Sequence, residues 1–75
     1  MIPVTDIREM QVGKMLFASE TNHFEIYIVD EVLDGEIRLK KALVGGQGKP
    51  ITYTYETIAE QELFVNRKWF TRKGF

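Results

Sequence analysis

Cysteine is absent from the 75 residues, which excludes disulfides, thiolate metal sites and a thiol nucleophile, so the core must hold together without covalent staples. A reducing compartment fits that composition, and the cytoplasm is the expected location. Long apolar runs are missing too. The N-terminal stretch Met1-Ile2-Pro3-Val4-Thr5-Asp6-Ile7-Arg8-Glu9 carries charges where a signal peptide needs an unbroken apolar run. No segment approaches the ~18 apolar residues of a membrane span. The expectation is a soluble protein with no membrane partner.

Catalytic side chains are equally scarce. His23 is the only histidine and Ser19 the only serine. Both flank one polar turn, beside Glu20 and Glu25, with no second nitrogen or sulfur ligand for zinc and no evident oxyanion site. The carboxylates Asp30-Glu31 and Asp34-Glu36 read as a solvated hairpin rim rather than an acid/base or Ca²⁺ site, because neighbouring strand residues point to opposite faces. Gly45-Gly46-Gln47-Gly48-Lys49 has the look of a phosphate cradle. A P-loop, however, needs Gly at position 43 and Ser or Thr after the lysine, and this chain has Leu43 and Pro50 there. These absences point to a non-enzyme with no catalytic residues, no metal and no cofactor.

What is present is enough for one folded domain over residues 1–75. Apolar residues make up 44% and charged residues 28%, an ordinary globular balance, although so short a chain buries only about 60% of its unfolded surface. Net charge is −1 but uneven. Residues 1–43 hold eight acids against five bases, giving −3, and residues 44–75 hold three acids against five bases, giving +2.

The organising element is the stretch Phe24 to Leu43. Asp34-Gly35 between two extended apolar runs predicts a hairpin with a type I′ turn, in which both central residues take positive φ. A two-residue loop would set Val32 opposite Ile37 and Glu31 opposite Arg38, an apolar pair and an ion pair. Phe24, Ile26, Ile28 and Val32 then share the apolar face, and Glu25, Tyr27, Val29, Glu31 and Leu33 the other. Asp30 is the misfit, falling opposite Leu39 on the apolar face. A β-bulge near Asp30-Glu31 would return it to water and bend the strand.

Around this hairpin, Asp6-Ile7-Arg8-Glu9 reads as a capping box opening a short N-terminal helix that ends by Gly13. Lys14 to Ser19 reads as a strand, Val44 to Pro50 as a mobile connection, and Ile51 to Tyr55 as an amphipathic strand. Thr57-Ile58-Ala59-Glu60 reads as a second capping box opening a single helical turn near 57–62. Leu63-Phe64-Val65 returns to strand character, and Lys68-Trp69-Phe70-Thr71 reads as a last strand. The fold class expected is mainly β: a small antiparallel SH3-like barrel, or a strongly bent sheet of four to five strands.

Two surfaces are candidates for binding. Tyr27, Tyr53 and Tyr55 could line a groove for a peptide or protein loop. The C-terminal segment carries Arg67, Lys68, Trp69, Arg72 and Lys73, cations interleaved with aromatics, the pattern in which rings stack bases and cations meet phosphates. The leading expectation is a non-enzymatic module that binds another protein through an aromatic/basic sheet face. The alternative is a nucleic-acid-binding barrel that uses the basic-aromatic C-terminal segment. SH3-like scaffolds as a class bind more often than they catalyse, which favours either over an enzyme.

Overall fold

The computed structural model describes residues 2–72. The chain runs through β1 (Ile2–Pro3), a 3-10 turn (Ile7–Glu9), β2 (Met15–Glu20), β3 (His23–Leu33), β4 (Glu36–Leu43), β5 (Gly46–Gln47), β6 (Ile51–Thr54), α1 (Tyr55–Phe64) and β7 (Lys68–Thr71). The strands form one antiparallel sheet in the order β1-β7-β2-β3-β4-β5, and β6 lies beside β5 along the same edge of β4.

The central hairpin forms in the expected register. Leu33 faces Glu36, Val32 faces Ile37 and Glu31 faces Arg38, with Arg38 Nη1 3.0 Å from Glu31 Oε2. The turn itself is not type I′. Gly35 has φ +74°, whereas Asp34 keeps a negative φ, so only the glycine occupies the left-handed region. The Gly35 carbonyl is held from outside by the Tyr55 N–H at 3.2 Å.

The bulge also forms, between Val29 and Glu31, and Asp30 pairs with Lys40 Nζ at 3.2 Å. Its consequence reverses part of the sequence reading. One inserted residue changes the parity of a strand, so side chains of like parity lie on opposite faces before and after it. Tyr27 and Val29 therefore join Val32 on the core side, and Phe24, Ile26 and Ile28 face outward.

The helical segments differ from expectation as well. At the N-terminus the expected short helix is reduced to the single 3-10 turn Ile7–Glu9. Arg8 donates to the Asp6 carboxylate from its backbone N–H at 3.0 Å and from its guanidinium at 2.8–3.2 Å, so Asp6 is committed to Arg8 and the capping box with Glu9 does not form. Near the C-terminus the helix is longer than one turn. Thr54, not Thr57, is its N-cap, accepting from the Thr57 N–H at 3.1 Å, and ten residues follow. The strong helix formers Glu56, Ala59, Glu60, Gln61, Glu62 and Leu63 carry it through Phe64, past the strand expected at 63–65. The connection expected to be mobile at 44–50 is instead pinned by β5, where Ala42 faces Gln47, and by the Gly48 N–H donating to Lys41 O at 2.8 Å.

The sheet is open, so the closed barrel is not formed: among the described residues no ladder joins β6 to β7 or to β1. It is nevertheless strongly curled. Tyr53 on β6 reaches Trp69 on β7 across the concave side, with ring centroids 6.5 Å apart, and Tyr27 packs edge-on against Tyr53 at 6.4 Å. Ile58 of α1 enters the same cluster as Ile7, Leu16, Ala18, Tyr27, Val29, Ile37, Leu39 and Trp69. Among the described residues no helix is long and apolar enough to cross a membrane.

Candidate functional site

Strand alternation divides β2, β3 and β7 into two sets of side chains, and the candidate residues fall on both. On the concave side, one row runs Trp69, Ala18, Glu25 and the next Thr71, Leu16, Tyr27, Lys41. On the convex side the rows are Phe70, Phe17, Ile26 and Lys68, Ser19, Phe24, with Met15 beside Ile28.

The concave side ends in a charged cluster. Arg67 is only 6% exposed, its guanidinium lying 5.3 Å over the Trp69 ring, with Nε 2.6 Å from Glu20 Oε1 and Nη2 3.3 Å from Glu25 Oε1. Glu25 also receives the Tyr27 hydroxyl, Lys41 Nζ at 3.1 Å and His23 Nε2. Burial by itself would raise the Glu25 pKa, but the hydrogen bonds from Tyr27, His23 and Lys41 outweigh it and hold the carboxyl at about 2. Burial, then the Glu25 carboxylate and Tyr53, push the Tyr27 phenol well above its ordinary value. For Arg67, burial opposes the charge, and the hydrogen bond to Glu20 together with the interactions with Tyr27 outweighs it, so its pKa is raised. Glu25, Tyr27 and Arg67 thus keep one protonation state across the neutral range, which suits fixed charges and not proton transfer.

The candidate residues separate accordingly. Tyr27 and Trp69 are core residues, and Tyr53 packs half-buried against both. Tyr55 donates its hydroxyl to the Leu33 carbonyl at 3.1 Å. The three tyrosines are thus not brought together as equals: Tyr27 is buried, Tyr53 packs against it, and Tyr55 turns to Leu33. Arg67 is a buried ion-pair partner of β2 and β3. Lys68 is exposed on the convex side, and Arg72 is exposed with its guanidinium 5.8 Å over the Phe17 ring. Lys73 lies outside the described residues. Ser19 sits between Phe24 and Lys68, while His23 is engaged with Glu25. Among the described residues no group of three or more His, Asp or Glu side chains could hold a metal ion.

The convex side carries what the sequence reading missed. Phe24 stacks on Phe17 with centroids 6.0 Å apart and planes at 26°, and remains 51% exposed. Phe17 is itself buried although it points away from the core, with Phe24 against one part of it and Arg72 over its ring. Ile26 and Phe70 flank it in the same row and are half-buried. The result is an apolar, phenylalanine-bearing face with cations at Lys68 and Arg72. The signal for it was available: Phe24, Ile26 and Ile28 alternate cleanly up to the residue that forces the bulge, and carrying the parity change through Asp30 places them outside.

A second feature is a cleft of about 190 Å³ between the Val4–Arg8 segment and α1, lined by Val4, Ile7, Tyr55, Ile58, Glu62 and Trp69 among others. It is smaller than the roughly 300–1,000 Å³ usual for small-molecule sites. Comparison with protein families, with curated proteins and with solved structures returns no match.

Proposed function

We propose that this chain is a non-enzymatic interaction module that binds another protein through the aromatic/basic convex face of its sheet. The observation that carries this reading is the Phe17–Phe24 stack, with Phe24 half-exposed on a face that the core does not use. An antiparallel sheet of this size normally turns one face to its core and a polar face to water. Here the second face keeps Met15, Phe17, Phe24, Ile26, Ile28 and Phe70, and such a surface on a small domain is the usual mark of a partner. Lys68 and Arg72 at its side supply orientation and faster encounter with an acidic surface.

Non-catalytic action is consistent with the cluster around Glu25, whose groups are held in fixed protonation states. The SH3-like comparison rests on the curl that brings Tyr53 to Trp69, and the cytoplasmic location on the absence of cysteine. The nucleic-acid alternative keeps Lys68 and Arg72 as phosphate contacts but loses its stacking platform, since Trp69 is buried beneath Arg67.

Affinity capture with the tagged chain, with and without nuclease, tests the proposal against variants of both faces. Capture of a defined protein that survives nuclease and is lost on Phe24→Ser and on Lys68→Glu is expected. Capture that is indifferent to both substitutions overturns the assignment of this face. Capture abolished by nuclease, or a gel shift that falls steeply with salt and disappears on Lys68→Glu with Arg72→Glu, moves the chain to the nucleic-acid class.

A further inference from the structure

The convex face has a counterpart on the same molecule. Helix α1 carries Glu56, Glu60 and Glu62 and no basic residue, and all three glutamates are exposed. Its last turn has no cation to offset the partial negative charge of the unpaired carbonyls at a helix C-terminus. At that same end Leu63 is 76% exposed and Phe64 77%, followed by exposed Val65. An acidic helix end with two almost bare large apolar side chains is the complement of an apolar sheet face rimmed by Lys68 and Arg72.

We infer that the occupant of the convex face is a second copy of this chain, docked through the C-terminal half of α1, with Leu63 and Phe64 set against Phe24, Ile26 and Phe70. Glu60 and Glu62 then approach Lys68 and Arg72. This rests on the reading of the convex face as a docking surface and names its partner.

A symmetric contact of the convex face with itself is disfavoured, because it brings the Lys68 and Arg72 rims together, and like charges across an interface are costly. A contact of α1 with α1 opposes three glutamates with three glutamates. The favourable pairing is heterologous: sheet face of one copy to helix end of the next. Ile58 of α1 is buried on the concave side of the sheet, whereas Phe17 and Phe24 stand on the other, and the helix end meets the sheet face only along β7, where Glu62 lines one pocket with Lys68 and Phe70. Heterologous contacts propagate into rings or open chains rather than stopping at a two-fold dimer.

Sedimentation of the wild-type chain over increasing concentration tests this, since average mass should climb beyond a dimer, and less steeply as salt is raised. Leu63→Ser with Phe64→Ser blocks the helix end and Phe24→Ser with Lys68→Glu blocks the sheet face. Each double variant by itself should associate at least about tenfold more weakly than wild type, as loss of a central anchor does. All four positions are at least half-exposed or charged surface sites, and an unchanged circular-dichroism melt verifies the fold of each variant; Lys68→Glu alone serves if the Phe24 change disturbs it. The decisive sample is the mixture. One variant retains only the sheet face and the other only the helix end, so a one-to-one heterodimer that grows no further is expected. A wild type that is monomeric up to about 1 mM, a mixture that stays monomeric, or a closed two-fold dimer in either variant overturns the inference. A monomeric wild type that still captures another protein through Phe24 rejects self-docking and leaves the interaction module standing.

Discussion

The two sides of β2, β3 and β7 are built from alternate residues of the same strands, yet they differ in kind. On the concave side Leu16, Ala18, Tyr27, Val29 and Trp69 fill a shared core, and the polar groups beside them are tied into one cluster around Glu25 and Arg67. On the convex side the apolar residues are as large, but among the described residues no second layer covers them, and the adjacent cations lie at the surface. Apolar character by itself does not locate a core. What distinguishes the two sides is enclosure: the sheet curls toward one of them, and α1 closes over that side through Ile58.

Deletion of Asp30 isolates what the bulge contributes to this distinction. Without the extra residue the ladder becomes regular with Val29 still opposite Leu39, Glu31 opposite Arg38 and Val32 opposite Ile37, so Tyr27, Val29 and Val32 keep the core side and only the local bend is lost. A cooperative thermal transition is expected to survive. Asp30→Ala keeps the residue count and removes only the pair with Lys40, so it should cost no more than about 1 kcal/mol in chemical denaturation. A deletion variant that no longer unfolds cooperatively would show that the bend at the bulge, and not parity alone, holds the two sides apart.

Core truncation comes next. Leu39 is fully buried, and Leu39→Ala should lower stability by about 3–4 kcal/mol in urea titration. Arg67→Ala leaves Glu20 and Glu25 without their buried cation, and about 2–3 kcal/mol is expected, less than for a fully enclosed pair because Glu20 remains partly solvated. In Arg67→Ala with Glu25→Gln, part of that loss should be recovered, a coupling that a double-mutant cycle reads directly.

The cluster also predicts a pH dependence. The Glu25 carboxyl is held at about 2 in the folded chain, below its ordinary 4.5, so the native state favours the charged form. Its contribution is therefore complete above about pH 4.5 and is lost progressively as pH falls from there toward 2, to a limit of about 2–3 kcal/mol. Glu25→Gln should flatten this part of the stability curve in denaturation series across acid pH. An unchanged acid limb would remove Glu25 from the cluster's energetics.

A similarly small stability effect is expected on the convex side. Phe24→Ser exposes part of Phe17 and should lower stability by no more than about 1 kcal/mol while weakening association. A loss comparable to that of Leu39→Ala would mean that the convex side is a second core, and the contrast would fail.

Much of the hairpin was legible before the fold was known. Asp34-Gly35 marked the turn, the Val32–Ile37 and Glu31–Arg38 pairs gave the register, and the misplaced charge of Asp30 gave the bulge. These rest on local chemistry: turn conformations, cross-strand pairing and the cost of burying a carboxylate. The side assignment of Phe24, Ile26 and Ile28 was not carried through that bulge, and the candidate surface changed from tyrosines to phenylalanines as a result. Thr54 displaced Thr57 as helix cap because two threonines three apart offer equivalent local caps, and the Tyr55 N–H bond to Gly35 ties the entry of the helix to the central turn.

The sequence by itself determined the central hairpin and the position of the bulge, because both follow from residues close together in the chain. Only the tertiary structure decided which side of the sheet is enclosed, that Arg67 and Trp69 turn inward while Lys68 and Arg72 stay out, and that the barrel remains open. Those outcomes depend on how β7 inserts between β1 and β2 and on where α1 lands. Such long-range placement is set by the summed fit of many side chains, which no local pattern encodes.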